Sequence, residues 1–125
     1  MNFIEYNPNI EDGGCVIRTF TKLFNKDYKI IIEELMALAS NLNYESYNEI
    51  EVFEKYLNDN NYTKIKGNNT LVSKLKLTNN KYAVFAFKDD WYHMFPIINN
   101  TIYDKNDSCL NLHVISLYKY EENEL

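Results

Sequence analysis

Apolar residues at helical spacing dominate the first half of the chain. Over Cys15–Phe24, Val16, Phe20 and Leu23 recur on one face of a helix, which is the pattern of an amphipathic helix packed on a core. Asp12 precedes this segment and can cap the first turn with its side chain. The pattern therefore predicts a helix that begins close to Cys15.

Two further helices follow the first one. Asn25–Lys26 interrupts the apolar pattern, and Asp27 can cap a second helix that ends near Ser40–Asn41. Asn48 can cap a third helix after a polar loop. The buried positions predicted for these two helices are Ile31, Leu35, Leu38, Ile50, Phe53, Tyr56 and Leu57.

The second half of the chain has the short apolar runs that are typical of strands. The predicted strands are Tyr62–Ile65, Lys81–Phe87, Trp91–Ile98, Thr101–Asp104 and Val114–Tyr120. Thr70 can cap a short helical turn over Leu71–Leu75. Helices followed by strands predict an α+β fold, in which N-terminal helices pack on a small antiparallel β-sheet. The length of 125 residues predicts a single domain over residues 1–125.

Composition and charge exclude several classes of protein. Hydrophobic residues make up 46% of the chain, enough for a core, and the net charge is −5. Only Arg18 is an arginine and the lysines are scattered, so we expect no nucleic-acid partner. We also expect a cytoplasmic protein without a membrane partner, because no apolar run reaches about 20 residues and the N-terminus lacks the features of a signal peptide. Two cysteines predict free thiols.

One cysteine lies where a thiol can become reactive. Cys15 follows Gly13–Gly14 at the predicted start of the first helix. The helix dipole and the free backbone N–H groups at this end favour a thiolate, and the same N–H groups can bind an oxyanion. The glycines allow a sharp turn and the close approach of a substrate.

A hairpin can bring a histidine and a carboxylate together. Asn99–Asn100 suits a two-residue turn, because asparagine tolerates positive φ. This register places Phe95 opposite Asp104, so that His93 and Asp104 are diagonal neighbours on one face of the sheet. A shift by one residue would put them on opposite faces.

These residues have the chemistry of an activated nucleophile. In this interpretation the Cys15 thiolate attacks a carbonyl group, His93 pairs with it as an imidazolium and then protonates the leaving group, and Asp104 orients the imidazole. Asn106, on the same predicted face, is an alternative orienting residue, since a neutral amide also suffices. The spacing of the residues does not by itself bring Cys15 to His93.

Two segments of the chain resemble a known enzyme family. The segment GGCVIRTFTKLFNKDY resembles the nucleophile helix of small papain-like cysteine peptidases of bacteria and phages, and HMFPIINNTIYDKNDSC resembles the segment that carries their histidine and aspartate. The order Cys, His, Asp is also similar to that of the bacteriocin-processing (C39-like) peptidases. This resemblance implies a papain-like fold and a cysteine peptidase that needs no cofactor. It also implies that Cys15, His93 and Asp104 form its catalytic triad.

The resemblance also implies an oxyanion-hole amide about six residues before the nucleophile. That position is Asn9, with Asn7 as a less favoured substitute, where the family usually has Gln. The chain departs from the family pattern in two further places. Gly14 stands where an Asp precedes the nucleophile, and Asn99–Asn100 replaces an Asp-Gly turn.

Other interpretations remain open at this stage. Cys109 and His113 form too small a set for a structural zinc site, so we expect no metal. The site can hydrolyse a peptide or isopeptide bond of a protein or peptide substrate, or transfer the acyl group. Alternatively, the chain is a catalytically inactive papain-like interaction module that binds a host or partner protein, or a phage assembly protein. Arg18, one turn after Cys15, can pair with Asp104 or Asp107, or be solvated.

Overall fold

Helices occupy the first half of the chain and strands most of the second half in the computed structural model, which describes residues 1–8 and 14–122. The helices are α1 (Cys15–Phe24), α2 (Tyr28–Asn41) and α3 (Ile50–Asp59). The strands are β1 (Asn2–Glu5), β2 (Tyr62–Lys66), β3 (Lys81–Lys88), β4 (Trp91–Ile98), β5 (Thr101–Asp104) and β6 (His113–Tyr120). Short 3-10 helices cover Val72–Lys74 and Asp107–Asn111. The prediction of an α+β fold is confirmed.

Local sequence signals set most of the helix ends. Helix α1 begins at Cys15, as predicted, with Gly14 as its N-cap, and it ends where Asn25 adopts a left-handed φ of 52°. The predicted cap Asp12 lies outside the described residues. Asp27 caps α2 as predicted, because its side chain accepts a hydrogen bond from the backbone N–H of Lys29 at 2.8 Å.

The predicted cap of the third helix is wrong by one position. Glu49 is the N-cap of α3, and it makes no side-chain capping hydrogen bond. Asn48 instead donates its backbone N–H to the side-chain oxygen of Ser46 at 3.1 Å. A serine that bonds the backbone two residues later stabilises a turn, which delays the start of the helix.

The strands of the described part of the chain form one six-stranded sheet in the order β1-β5-β4-β3-β6-β2. Strand β3 lies inside the sheet between β4 and β6, as its apolar sequence predicts. The prediction of a purely antiparallel sheet is wrong at one edge, because β1 pairs with β5 in parallel. Strand β1 has no alternating apolar pattern, and it is held by a neighbour that is distant in the sequence.

The turn between β4 and β5 has the predicted register. Asn99 and Asn100 adopt positive φ values of 48° and 61°, as expected of a two-residue hairpin turn. Ile98 pairs with Thr101 and Ile97 with Ile102. This is the register that makes His93 and Asp104 diagonal neighbours.

The sheet is packed on both faces. The helices cover one face, where Ala83 and Phe85 of β3 contact a core that includes Ile17, Phe20 and Phe53. The alternate β3 residues face a second core, which contains Val84, Ala86, Phe95, Ile102, Leu112 and Val114. Contrary to prediction, Ile50 at the start of α3 is 50% exposed. Each helix within the described ranges is too short or too polar to cross a bilayer.

Candidate active site

The first turn of α1 places Cys15 at the mouth of a cleft. Helix α1 packs against β4, and Cys15 is half-buried at its N-terminal end. The preceding Gly14 has an extended backbone, and within residues 1–8 and 14–122 no atom beyond its chain neighbours lies within 4 Å of where a Cβ would be. As far as the described residues show, the space beside Gly14 is therefore open to an approaching molecule.

The imidazole of His93 lies between Cys15 and Asp104. Its Nε2 atom is 2.7 Å from the Oδ2 atom of Asp104, and both side chains are buried. This contact uses Nε2, so Nδ1 is the nitrogen available to Cys15, whose thiol interacts with the His93 side chain. The structure thus brings the three predicted residues together.

The pKa values of Cys15 and His93 are shifted in opposite directions from those of free side chains. Burial would raise the pKa of Cys15, but hydrogen bonds from the His93 imidazole and the backbone N–H of Met94, with the charge of His93, lower it below the usual value. Burial would likewise lower the pKa of His93, but hydrogen bonds to Asp104 and Cys15 raise it to about 9. A thiolate beside an imidazolium is the state that these opposite shifts favour near neutral pH.

Asp104 is held by more than the histidine. Its Oδ1 atom accepts the backbone N–H of Lys105 at 2.8 Å and lies 3.5 Å from the guanidinium of Arg18. Burial would raise the pKa of Asp104, but the hydrogen bond and charge of His93, together with the Lys105 N–H and Arg18, lower it. Of the predicted alternatives for Arg18, pairing with Asp104 is the one observed.

The other predicted site residues have different placements. The Asn106 side-chain oxygen accepts the backbone N–H of Ser108 at 3.0 Å, and Asp104 takes the position beside His93. Asn9, the predicted oxyanion-hole residue, lies outside the described residues, and Asn7 is exposed.

The cleft has two arms of opposite chemistry that meet at Gly14 and Cys15. A polar arm of about 330 Å³ is lined by His93, Asp104, Arg18, Lys105, Asn106 and Ser108, with Trp91 beside them. An apolar arm of about 450 Å³ is lined by Val16, Ile50, Phe53, Phe85 and Tyr92, with Asn48. Tyr92 borders both arms.

Aromatic rings surround the histidine. Trp91 stacks on His93 with centroids 5.0 Å apart and planes at 13°, and Phe95 stacks on it at 5.8 Å. The Trp91 ring is nevertheless 49% exposed. Stacking restricts rotation of the imidazole, and the Trp91 ring of the stack faces the cleft.

The second cysteine is placed differently from the first. Cys109 is fully buried, and burial and the charge of Asp104 raise the pKa of its thiol to about 12. His113 uses Nδ1 for a contact with the Asn69 carbonyl oxygen at 3.0 Å. Within residues 1–8 and 14–122, no three Cys, His, Asp or Glu side chains are grouped so that they could hold a metal ion.

Comparison with models of protein families, with curated proteins and with solved structures finds no match to this chain.

The apolar arm was missed by sequence reasoning. Its residues come from α1, α3, β3 and β4, which are far apart in the sequence. One signal was available, since Ile50 lies at the start of the predicted third helix, next to a polar loop. The pairing of Arg18 with Asp104 had a clearer signal in the sequence, because Arg18 is the only arginine of the chain and lies one turn after Cys15.

Proposed function

We propose that this protein is a papain-like cysteine peptidase, which hydrolyses a peptide or isopeptide bond of a protein or peptide substrate. Cys15 is the nucleophile, His93 the general acid and base, and Asp104 the orienting residue. The observation that carries the proposal is the position of His93, whose ring is hydrogen-bonded to Asp104 and interacts with the thiol of Cys15. A nucleophile, a base and an orienting carboxylate in this order are the minimum set for acyl transfer.

The reaction uses each group in turn. The thiolate of Cys15 forms a bond to the carbonyl carbon, and the C–N bond breaks as the amine takes a proton from the His93 imidazolium. Water then attacks the carbonyl carbon of the thioester while His93 removes a proton from the water. The C–S bond breaks, which releases the carboxylic acid and restores the Cys15 thiolate beside the His93 imidazolium. Asp104 stays ionised and keeps the imidazole in position.

The developing oxyanion needs hydrogen-bond donors close to the sulfur. The backbone N–H groups of the first turn of a helix have no partner within that helix, and Cys15 is the first residue of α1. We assign the N–H of Cys15 as one donor in the proposed mechanism. By the resemblance to papain-like peptidases, the side chain of Asn9 supplies the second one.

Alkylation of Cys15 by iodoacetamide as a function of pH tests the proposal. At about pH 6, a thiolate paired with imidazolium should react at least about tenfold faster than a free thiol of pKa about 8.5. The His93→Ala variant should lose this advantage. Cys109 serves as the internal control in the same protein, because its buried thiol should stay unmodified.

Turnover completes the test. A fluorogenic peptide-amide library should be cleaved by the wild-type protein and not by the Cys15→Ala variant. If Cys15 reacts at about pH 6 no faster than a free thiol and no peptide is cleaved, the peptidase proposal is wrong. The protein would then be better treated as an interaction module.

A further inference from the structure

One face of α1 carries three side chains that contact other parts of the fold in succession. Cys15, Arg18 and Lys22 follow one another at intervals of three and four residues, so they lie along the same face of the helix. The first interacts with His93 of β4, and the second pairs with Asp104 at the end of β5. The third lies farthest along the helix from the cleft, and the proposed reaction makes no use of it.

The ammonium group of Lys22 lies over two aromatic rings. Its Nζ atom is 4.2 Å from the ring centroid of Tyr103 and 5.2 Å from that of Tyr6. Both distances are within the range in which a cation is attracted to the face of an aromatic ring. All three side chains are half-buried, which reduces the competition of water with this attraction. We call Tyr6, Lys22 and Tyr103 the cation clamp.

Both tyrosines of the cation clamp adjoin Asp104 through the backbone. Tyr103 is the residue directly before Asp104 in β5. Tyr6 follows β1, and its backbone N–H donates to the carbonyl oxygen of Asp104 at 2.8 Å. The ammonium group on α1 is therefore held by the two residues whose backbone borders the orienting carboxylate.

A hydrogen bond ties Tyr6 to the same helix. Its hydroxyl group is 2.9 Å from the Oγ1 atom of Thr21, and Thr21 donates in turn to the carbonyl oxygen of Arg18 at 2.7 Å. Because Thr21 uses its proton for that carbonyl oxygen, the Tyr6 hydroxyl is the donor in the first contact. The helix that carries the nucleophile is thus joined to the strand that carries Asp104 at two levels, by Arg18 and by the cation clamp.

We infer that Tyr6, Lys22 and Tyr103 are positioning residues, which fix α1 against β5 so that Cys15 stays aligned with His93. The inference rests on the proposed function, and none of the three residues touches the reacting atoms. Only about 10 Å of helix separates Lys22 from Cys15, so a displacement at one end is transmitted to the other. A helix that is held less firmly would weaken the contact of the thiol with the imidazole, and fewer thiolates would form at a given pH.

The pH profile of Cys15 alkylation by iodoacetamide tests this inference in the Lys22→Gln variant. Glutamine has a similar length but no charge, so the cation clamp is lost. On the rising limb of the profile the rate reports the fraction of thiolate, and it should fall about two- to fivefold, as expected for the loss of a partly shielded cation–π contact. The rate on the plateau, where Cys15 is fully ionised, should be unchanged. Lys22→Arg should restore the rising limb, because a guanidinium also binds aromatic faces.

Matched variants separate position from charge and from stability. Lys29→Gln is the control, because the Lys29 cation lies 6.0 Å from the ring of its neighbour Tyr28 within α2 and joins no two elements. It should leave the profile unchanged. Tyr103→Leu removes a ring but keeps the charge of Lys22, so it should reproduce the effect of Lys22→Gln, whereas Tyr103→Phe should have no effect. Urea unfolding of each variant measures any loss of stability separately.

The results distinguish the inference from the proposed function. A reactive wild-type Cys15, with the same rising limb in Lys22→Gln and Tyr103→Leu, overturns the positioning role and leaves the peptidase proposal standing, even where these variants lose stability. Equal slowing in Lys22→Arg and Lys22→Gln, or in Lys29→Gln, overturns the role assigned to this cation. A wild-type Cys15 that reacts no faster than a free thiol overturns the proposed function, and the inference fails with it.

Discussion

The Nε2 atom of His93 lies 2.7 Å from the Oδ2 atom of Asp104, across a hairpin that separates the two residues by 11 positions. The contact leaves Nδ1 for the thiol of Cys15. It also links the protonation of the histidine to the charge of one buried carboxylate. The consequences of this arrangement can be measured.

Replacing Asp104 with Asn should lower the pKa of His93. The wild-type value is about 9, although burial lowers it, because hydrogen bonds and charges of Asp104 and Cys15 favour the imidazolium. An amide keeps the shape of the side chain but removes its charge, so the pKa should fall toward the ordinary value of about 6.5. NMR titration of the His93 Cε1–H signal measures this.

The second histidine provides the control for that titration. His113 lies at the start of β6, and its signal should be the same in wild type and Asp104→Asn. An unchanged His93 midpoint in the variant would show that the carboxylate does not control the imidazole.

Arg18→Met should destabilise the fold by about 2–3 kcal/mol in urea unfolding, because it removes one of the two cationic side chains that contact the buried Asp104 carboxylate. The cost is reduced by the remaining hydrogen bonds to His93 and Lys105. The double variant with Asp104→Asn should lose less than the sum of the single losses, since neither charge then remains.

An exposed ion pair offers the matched comparison for Arg18. Lys26 and Glu34 are 3.0 Å apart and their side chains are each 40% exposed. Lys26→Met should therefore change the free energy of unfolding by no more than about 0.5 kcal/mol. Equal losses in the two methionine variants would contradict the structural role assigned to Arg18.

The two described glycines should differ in how much stability an alanine costs. A Cβ on Gly67 would overlap the side chain and backbone of Val114, so Gly67→Ala should cost about 1–3 kcal/mol of stability.

Gly14→Ala should cost less than about 1 kcal/mol of stability. Its new methyl group would enter the cleft beside Cys15, and it should slow peptide chloromethyl ketones more than iodoacetamide. Thermal unfolding and alkylation rates measure both effects, and a similar slowing of all reagents would argue against a substrate path over Gly14.

The turn of the β4–β5 hairpin should tolerate glycine and reject valine. Asn100 has a φ of 61°, so Asn100→Gly should raise stability by about 0.5 kcal/mol, whereas Asn100→Val should lower it by about 1–2 kcal/mol. The valine variant should also lower the pKa of His93, because a weaker turn loosens the register that holds Asp104. Finding the Val and Gly variants equally stable would contradict the assigned turn geometry.

Local signals were enough to predict the parts of the site that depend on neighbouring residues. The paired asparagines Asn99 and Asn100 indicated the turn, and the turn set the register of His93 and Asp104. The side chain of Asp27 and the apolar spacing over Cys15–Phe24 likewise defined helix ends that the structure confirms. Each of these features depends on interactions within about a dozen residues.

Features that depend on distant contacts were not predictable in the same way. The approach of α1 to β4, which brings Cys15 to His93, follows from packing of the helical core on the sheet. Strand β1 exists because it pairs with β5, and its exposed residues show no pattern of their own. Ile50 was expected in the core, but its place at the rim of the cleft depends on how α3 meets β3 and β4.

Trp91, the single tryptophan in the chain, stacks on His93. An imidazolium in contact with an indole quenches its fluorescence more strongly than neutral imidazole does. Emission excited at wavelengths where tyrosine does not absorb should therefore brighten as His93 loses its proton near pH 9. The molecule thus carries an intrinsic optical reporter of the charge state of its own base, readable without labels and on the time scale of stopped-flow mixing.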